Sequence, residues 1–112
     1  MTTDFTTSDH LDRARSEPFE AGVVQWTRRP GEGGRGDYCS GFWFITPEDA
    51  PEPMHVVGHA DETIYIIEGH LRVEPEGGEA FELTAGSTAS LNKGVPAVWT
   101  VLAPTVEFFV YS

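Results

Sequence analysis

The sequence predicts a single all-β domain, a sandwich or barrel of short strands, and three observations carry that reading. Runs rich in Val, Ile, Phe, Trp, Tyr and Thr recur from Gly22 to the last residue, as expected of side chains that pack on a pleated surface. Gly, Pro, Asp and Asn fill the gaps between them, at 30–36, 47–53, 75–78 and 92–96. No long helical pattern interrupts the series, and 112 residues leave room for one domain only.

Nine strands are expected, at Val23–Arg28, Tyr38–Thr46, Met54–Val57, Thr63–Glu68, Leu71–Glu74, Ala80–Leu83, Thr88–Leu91, Ala97–Leu102 and Val106–Tyr111. Glu76-Gly77-Gly78-Glu79 separates two alternating segments and reads as a hairpin turn. Ala85-Gly86-Ser87 and Lys93-Gly94-Val95-Pro96 bracket one short strand with tight reversals. Residues 1–20 are polar and weakly patterned, so they read as an N-terminal arm to a domain over 21–112. Within the arm, Ser8 to Arg15 predicts one or two helical turns capped by Ser8 or Asp9 and stopped at Pro18.

Composition narrows the partners. Hydrophobic residues make up 39%, and seven Phe, three Trp and three Tyr supply an aromatic core. Seven Lys+Arg against 18 Asp+Glu give a formal charge of −11, which repels phosphate backbones and anionic lipid. Neither nucleic acid nor a membrane is therefore an expected partner. Cys39 is the only cysteine, so no intrachain disulfide forms. Met1 to Phe5 show no basic segment followed by an apolar run, and the expected location is cytoplasmic.

Three motifs are set aside on context. Gly31-Glu32-Gly33-Gly34-Arg35-Gly36 spells G-x-G-x-x-G, which binds dinucleotides only between a strand and a helix; here a strand follows. Arg35-Gly36-Asp37 spells an adhesion tripeptide without any sign of secretion. His55 and His59 have the i, i+4 spacing of a helical ligand pair, but Pro51, Pro53 and Gly58 rule out the helix.

From Asp61-Glu62 to Glu68-Gly69, with six residues between Glu62 and Gly69, the sequence resembles the end of the first cupin motif. Ala85-Gly86-Ser87 resembles the turn that opens the second motif, and Asn92-Lys93-Gly94 a later turn within it. Gly41-Phe42-Trp43-Phe44-Ile45-Thr46-Pro47, Tyr65-Ile66-Ile67-Glu68-Gly69 and Trp99-Thr100-Val101 resemble the ureidoglycine-aminohydrolase-like and ethanolamine-utilisation-like small cupins. The resemblance runs from about Gly22 to Ser112 and implies a cupin double-stranded β-helix, a jelly-roll barrel. It also implies chemistry on a small ureido or amino-acid-like metabolite, manganese dependence for the aminohydrolase itself, and a homodimer. Metal-binding cupins supply H-x-H, a glutamate and a third histidine. Here His55 takes the first histidine's place and Glu62 the glutamate's, while Val57 and Ala97 stand where the other histidines would be.

Alternation directs Glu62, Ile64 and Ile66 inward on one strand and Ala97, Trp99 and Val101 inward on another. The expected ligand pocket is thus Trp43, His55, His59, Glu62, Ile64, Ile66, Ala97, Trp99 and Val101, with Glu62 as the lone interior acid and the candidate catalytic group. His55, His59 or Lys93 is its expected partner. No cofactor is expected; if a divalent metal such as Mn, Zn, Fe or Ni binds, His55, His59 and Glu62 are its candidate ligands. Two functions from different classes follow. One is a metabolite-binding cupin with an incomplete metal site, related to aminohydrolase-like enzymes. The other is a structural or regulatory module that dimerises through the arm and the aromatic segment Phe108-Phe109-Val110-Tyr111. A metal-dependent hydrolase or oxygenase is a third.

Overall fold

A computed structural model describes residues 6–8 and 10–112. Among the described residues eight strands form, β1 (Glu17–Pro18), β2 (Val23–Arg28), β3 (Cys39–Ile45), β4 (Met54–Val57), β5 (Glu62–Pro75), β6 (Phe81–Thr84), β7 (Thr88–Leu91) and β8 (Pro96–Tyr111). Every pairing is antiparallel. The nine expected strands become eight because four of them fuse into two and one more, β1, appears in the arm. Thr63–Glu68 and Leu71–Glu74 are halves of β5; Ala97–Leu102 and Val106–Tyr111 are halves of β8. Gly69 and Pro104 break the sequence pattern, yet they bend the strands instead of ending them.

That bend makes the architecture. The first half of β5 pairs with β7 and with the second half of β8, while its second half pairs with β6 and with the first half of β8. The register shifts between Ile66 and Glu68, between Glu68 and His70, and between His70 and Leu71, the two-against-one counting of bulges that turn a sheet corner. One layer therefore holds β1, β2, β3, the second half of β8, the first half of β5 and β7. The other holds β4, the first half of β8, the second half of β5 and β6. A single apolar core lies between them, joining Ile45, Ile64, Ile66 and Phe109 of one layer to Leu71, Val73, Leu83 and Trp99 of the other. The jelly-roll all-β class read from the sequence is the class observed.

Gly69 is the tightest point of the corner. Its φ of +114° is a backbone region that favours glycine, and a Cβ there would lie 2.5 Å from Thr105 Cα and 2.6 Å from the Pro104 carbonyl oxygen. The buried Thr105 hydroxyl accepts from the His70 N–H at 3.1 Å and donates to the Ala103 carbonyl at 2.8 Å, so it bridges the place where the ladder is interrupted.

The arm differs from expectation. A 3-10 turn at Arg13–Arg15 is capped by Asp12, whose carboxylate accepts from the Ala14 N–H at 2.9 Å. Ser8 is not a cap: its hydroxyl accepts from Gln25 Nε2 at 2.6 Å. Asp9, like Met1 to Phe5, lies outside the described residues. Pro18 stops no helix and instead pairs with Val23 at the sheet's edge, where its missing N–H is tolerated. The arm rests on β2 because the buried Gln25 also donates to the His10 carbonyl and accepts from the Asp12 N–H. The segment Phe108–Tyr111, expected to offer a free edge, is central, with β3 on one side and β5 on the other. The loop holding Gly31 to Gly36 joins the antiparallel neighbours β2 and β3. Among the described residues, no helix is long and apolar enough to cross a membrane.

Replacing Gly69 with Ala is expected to cost on the order of 3 kcal/mol, since the strained φ and the clash with fixed backbone add. Thermal unfolding checks this. An unchanged midpoint would mean the corner can relax.

Candidate functional site

Register places the inner-face side chains of β3, β8 and β5 in three rows. Cys39, Tyr111 and Glu62 form the first, Gly41, Phe109 and Ile64 the second, and Trp43, Glu107 and Ile66 the third. β4 pairs with the first half of β8 so that Met54 lies opposite Trp99, turning both toward these rows. Trp43 and Trp99 meet edge to face across the layers, with ring centroids 6.4 Å apart. A cavity of about 210 Å³ remains between the layers at this end, walled by Trp43, Trp99, Phe109, Tyr111 and Met54, with Glu62, Glu107, His59 and Glu20 as its ionisable lining. It is smaller than the ~300–1,000 Å³ of sites for drug-sized ligands, and so of metabolite size.

Of the residues expected to form a pocket, Trp43, His59, Glu62 and Trp99 line this cavity together. Ile64, Ile66, Ala97 and Val101 point inward but are packed in the core outside the lining. His55 does not join them. It lies opposite Val98 on the outer face of β4 and is exposed, because Met54 and Val56 take the inward positions of that strand.

The electrostatics differ from the lone-acid expectation. Glu107, only 2% exposed, is a second interior carboxyl. Its Oε2 has no hydrogen-bond partner among the described residues. Burial, and then the charge of Glu62, hold its pKa well above the ordinary carboxylate range. Burial pushes Glu62 up to about 7, against the opposing effect of a hydrogen bond from the Tyr111 hydroxyl. Burial and the neighbouring carboxylates raise Tyr111 in turn, so it stays a donor. Burial followed by the Glu62 charge raises the Cys39 thiol. The partner of Glu62 is thus Tyr111, not a basic residue. His59 stacks on the Tyr111 ring at 5.1 Å, and the Lys93 N–H donates to Asp61 at 2.8 Å.

Sequence reasoning missed Glu107 and Tyr111, although period-two counting puts Thr105, Glu107, Phe109 and Tyr111 on one face. A charge midway along an apolar face was the available signal. A metal set does not assemble: among the described residues no three His, Cys, Asp or Glu side chains are grouped to hold an ion. Val57 sits at the outer end of β4 and Ala97 in the core, and neither has a donor side chain.

A raised carboxyl pKa destabilises the fold once the group must ionise. In the folded state Glu62 binds its proton more tightly than the unfolded chain does, so stability falls as pH rises from about 4.5 to about 7 and the loss is complete above that window. The difference corresponds to a penalty on the order of 3 kcal/mol. Glu62→Gln is expected to flatten that part of the profile and to raise stability at about pH 8 by a comparable amount, as urea unfolding would show. Parallel profiles for the two proteins would sink this account of the site.

Comparison with curated proteins returned no match. Among solved structures, a DUF861 family protein of Thermotoga maritima is similar at 24% identity and TM-score 0.55, over 63% of this chain and 76% of that one. A candidate ethanolamine utilization protein Q of Salmonella typhimurium aligns with TM-score 0.68 and 18% identity, over 86% of this chain and 76% of its own. The ectoine synthase of P. lautus aligns with TM-score 0.69 and 15% identity, over 86% and 67%. At these identities the likeness establishes the fold. The family described as the EutQ-like cupin domain matches residues 45–108, from the end of β3 into the second half of β8, and with over half of its length matched the chain belongs to the EutQ-like cupins.

Proposed function

We propose that this cupin binds a small metabolite in the cavity between its layers, with Glu62 and Tyr111 as the polar anchor and Trp43, Trp99 and Phe109 as walls. One observation carries the reading: two buried carboxyl groups, Glu62 and Glu107, line a cavity with aromatic walls, where each raises the cost of folding. A core serving packing alone gains nothing from them, since apolar residues of similar volume are as stable or more so. Near neutral pH, Glu62 is poised between its two protonation states and can give or take a proton from a bound ligand. Tyr111 orients the carboxyl for that exchange.

The manganese-dependent aminohydrolase chemistry implied by the sequence resemblance is not part of this proposal, because Val57 and Ala97 supply no ligands and His55 lies on the outer face of β4. The metabolite site is read as metal-independent, in a domain over residues 21–112 with the preceding arm laid on β2. A cytoplasmic setting suits its single buried thiol, Cys39. The second reading, an association module, keeps one favourable observation. Among the described residues β4 pairs only with β8, and it carries Val57, 62% exposed, so a homodimer would form there.

A thermal-shift screen of small metabolites against untagged protein is expected to give ligands that raise the midpoint by several degrees, with the shift lost in Trp99→Ala. A library that moves nothing would count against the pocket, and a stable dimer by light scattering would then favour association. Elemental analysis of the same protein is expected to find no stoichiometric divalent metal. Near-stoichiometric metal that disappears in Glu62→Ala would overturn the metal-independent reading.

A further inference from the structure

We infer that the ligand of this cavity is a small organic cation bearing N–H donors, a protonated amine seated between Glu62 and Glu107 against the aromatic walls. The inference rests on the pocket reading above and names the class of molecule that the pocket takes.

The unpartnered Glu107 carboxylate oxygen is the first argument. Buried acceptors are almost always satisfied, and this one lies in a row whose neighbours, Trp43 and Ile66, bring it no donor. The Trp43 indole N–H is already given to the Ala21 carbonyl at 2.8 Å, and the Tyr111 hydroxyl to Glu62. Among the described residues nothing supplies that donor, so an ionised Glu107 must find it in what occupies the cavity.

The lining supplies the second argument. It contains three acids, Glu20, Glu62 and Glu107, and no Lys or Arg. His59 is its only basic side chain, and it is stacked on Tyr111 at the mouth. An anion would meet carboxylates without a compensating cation. A cation meets carboxylates and the aromatic rings of Trp43, Trp99, Phe109 and Tyr111, whose π-faces attract positive charge. The net charge of −11 adds a field that draws cations toward the protein. A quaternary ammonium would satisfy the charge but leave Glu107 without its donor, so the class narrows to amines with N–H groups.

Binding of such a cation favours ionised carboxyls and so releases protons. The groups facing the two carboxyls are Cys39 from β3, Tyr111 from β8, His59 from the loop before β5 and Glu20 from the segment before β2; β4 and β7 present only apolar side chains to them. Cys39 and Tyr111 stay protonated, which leaves the carboxyls as the source of the released protons.

Isothermal titration with four probes that share a phenyl ring and differ in head group tests this: benzylamine, benzyltrimethylammonium, benzyl alcohol and benzoate, at about pH 6 and about pH 8. Benzylamine is expected to bind tightest. Its affinity should rise about tenfold between the two pH values, as expected for release of one proton from a group titrating midway. Proton release should appear as a dependence of the heat on the buffer. Glu107→Gln, which keeps the shape but cannot ionise when a cation binds, is expected to weaken benzylamine at least about tenfold and leave benzyl alcohol unchanged. Glu62→Gln should remove most of the pH dependence, and circular dichroism melts confirm that both variants fold. If benzyl alcohol or benzoate binds as tightly as benzylamine, the cation is wrong while the pocket stands. If benzyltrimethylammonium matches benzylamine, the N–H requirement is wrong. Should none of the four bind, the inference fails, and the metabolite screen decides the pocket separately.

Discussion

The structure depends on one pairing, that of β5 with β8, two strands of 14 and 16 residues that run through both layers and turn the same corner together. Most of the other strands hang from them. β3 and β4 pair on β8, and β6 and β7 pair on β5. The corner works because Gly69 lets backbone approach backbone without a side chain between, and because Thr105 takes over the hydrogen bonds that the bulges give up. A sheet folded over in this way buries one face of each half against the other, which is how so short a chain encloses a core.

The same folding sets the site. Because β3, β8 and β5 lie side by side in one register, side chains distant in sequence are forced into rows, and Glu62 faces Tyr111 by pairing alone. The far wall arrives through the corner, as the first half of β8 carries Trp99 back over Trp43. The cavity exists where packing between these rows is incomplete, and its polarity is unusual for a core. Burial raises the pKa of both carboxyls, the Glu62 charge raises that of Glu107 further, and both weaken the fold, a cost that natural sequences tolerate chiefly where a ligand or a proton transfer depends on it.

Much of this was legible from residues. Strand composition and turn residues located β2, β3, β4 and β7 nearly to the residue, and period-two counting turned Glu62, Ile64 and Ile66 inward together with Ala97, Trp99 and Val101. What misled was the punctuation. Gly69 and Pro104 look like the ends of strands because those residues usually are, and only a partner strand bending at the same place makes a long, kinked strand possible. His55 misled for a related reason: a position inherited from a family pattern carries its neighbours' alternation with it only if the local register is the same. The partner of Glu62 could not be read at all, because it lies 49 positions away and is brought near by pairing alone.

By itself the sequence determined the fold class, the inward faces of its strands, the absence of histidine at two places where metal-binding cupins carry it, and an acidic surface. These are local facts of composition, period and spacing, written within a few residues of one another. The tertiary structure alone decided that Glu107 would be a second buried acid, that Tyr111 and not a basic residue would hold Glu62, that His55 would face solvent, and that a cavity would open between Trp43 and Trp99. Those outcomes rest on cross-strand register and on a corner that brings two layers together, and neither is a property of any one segment.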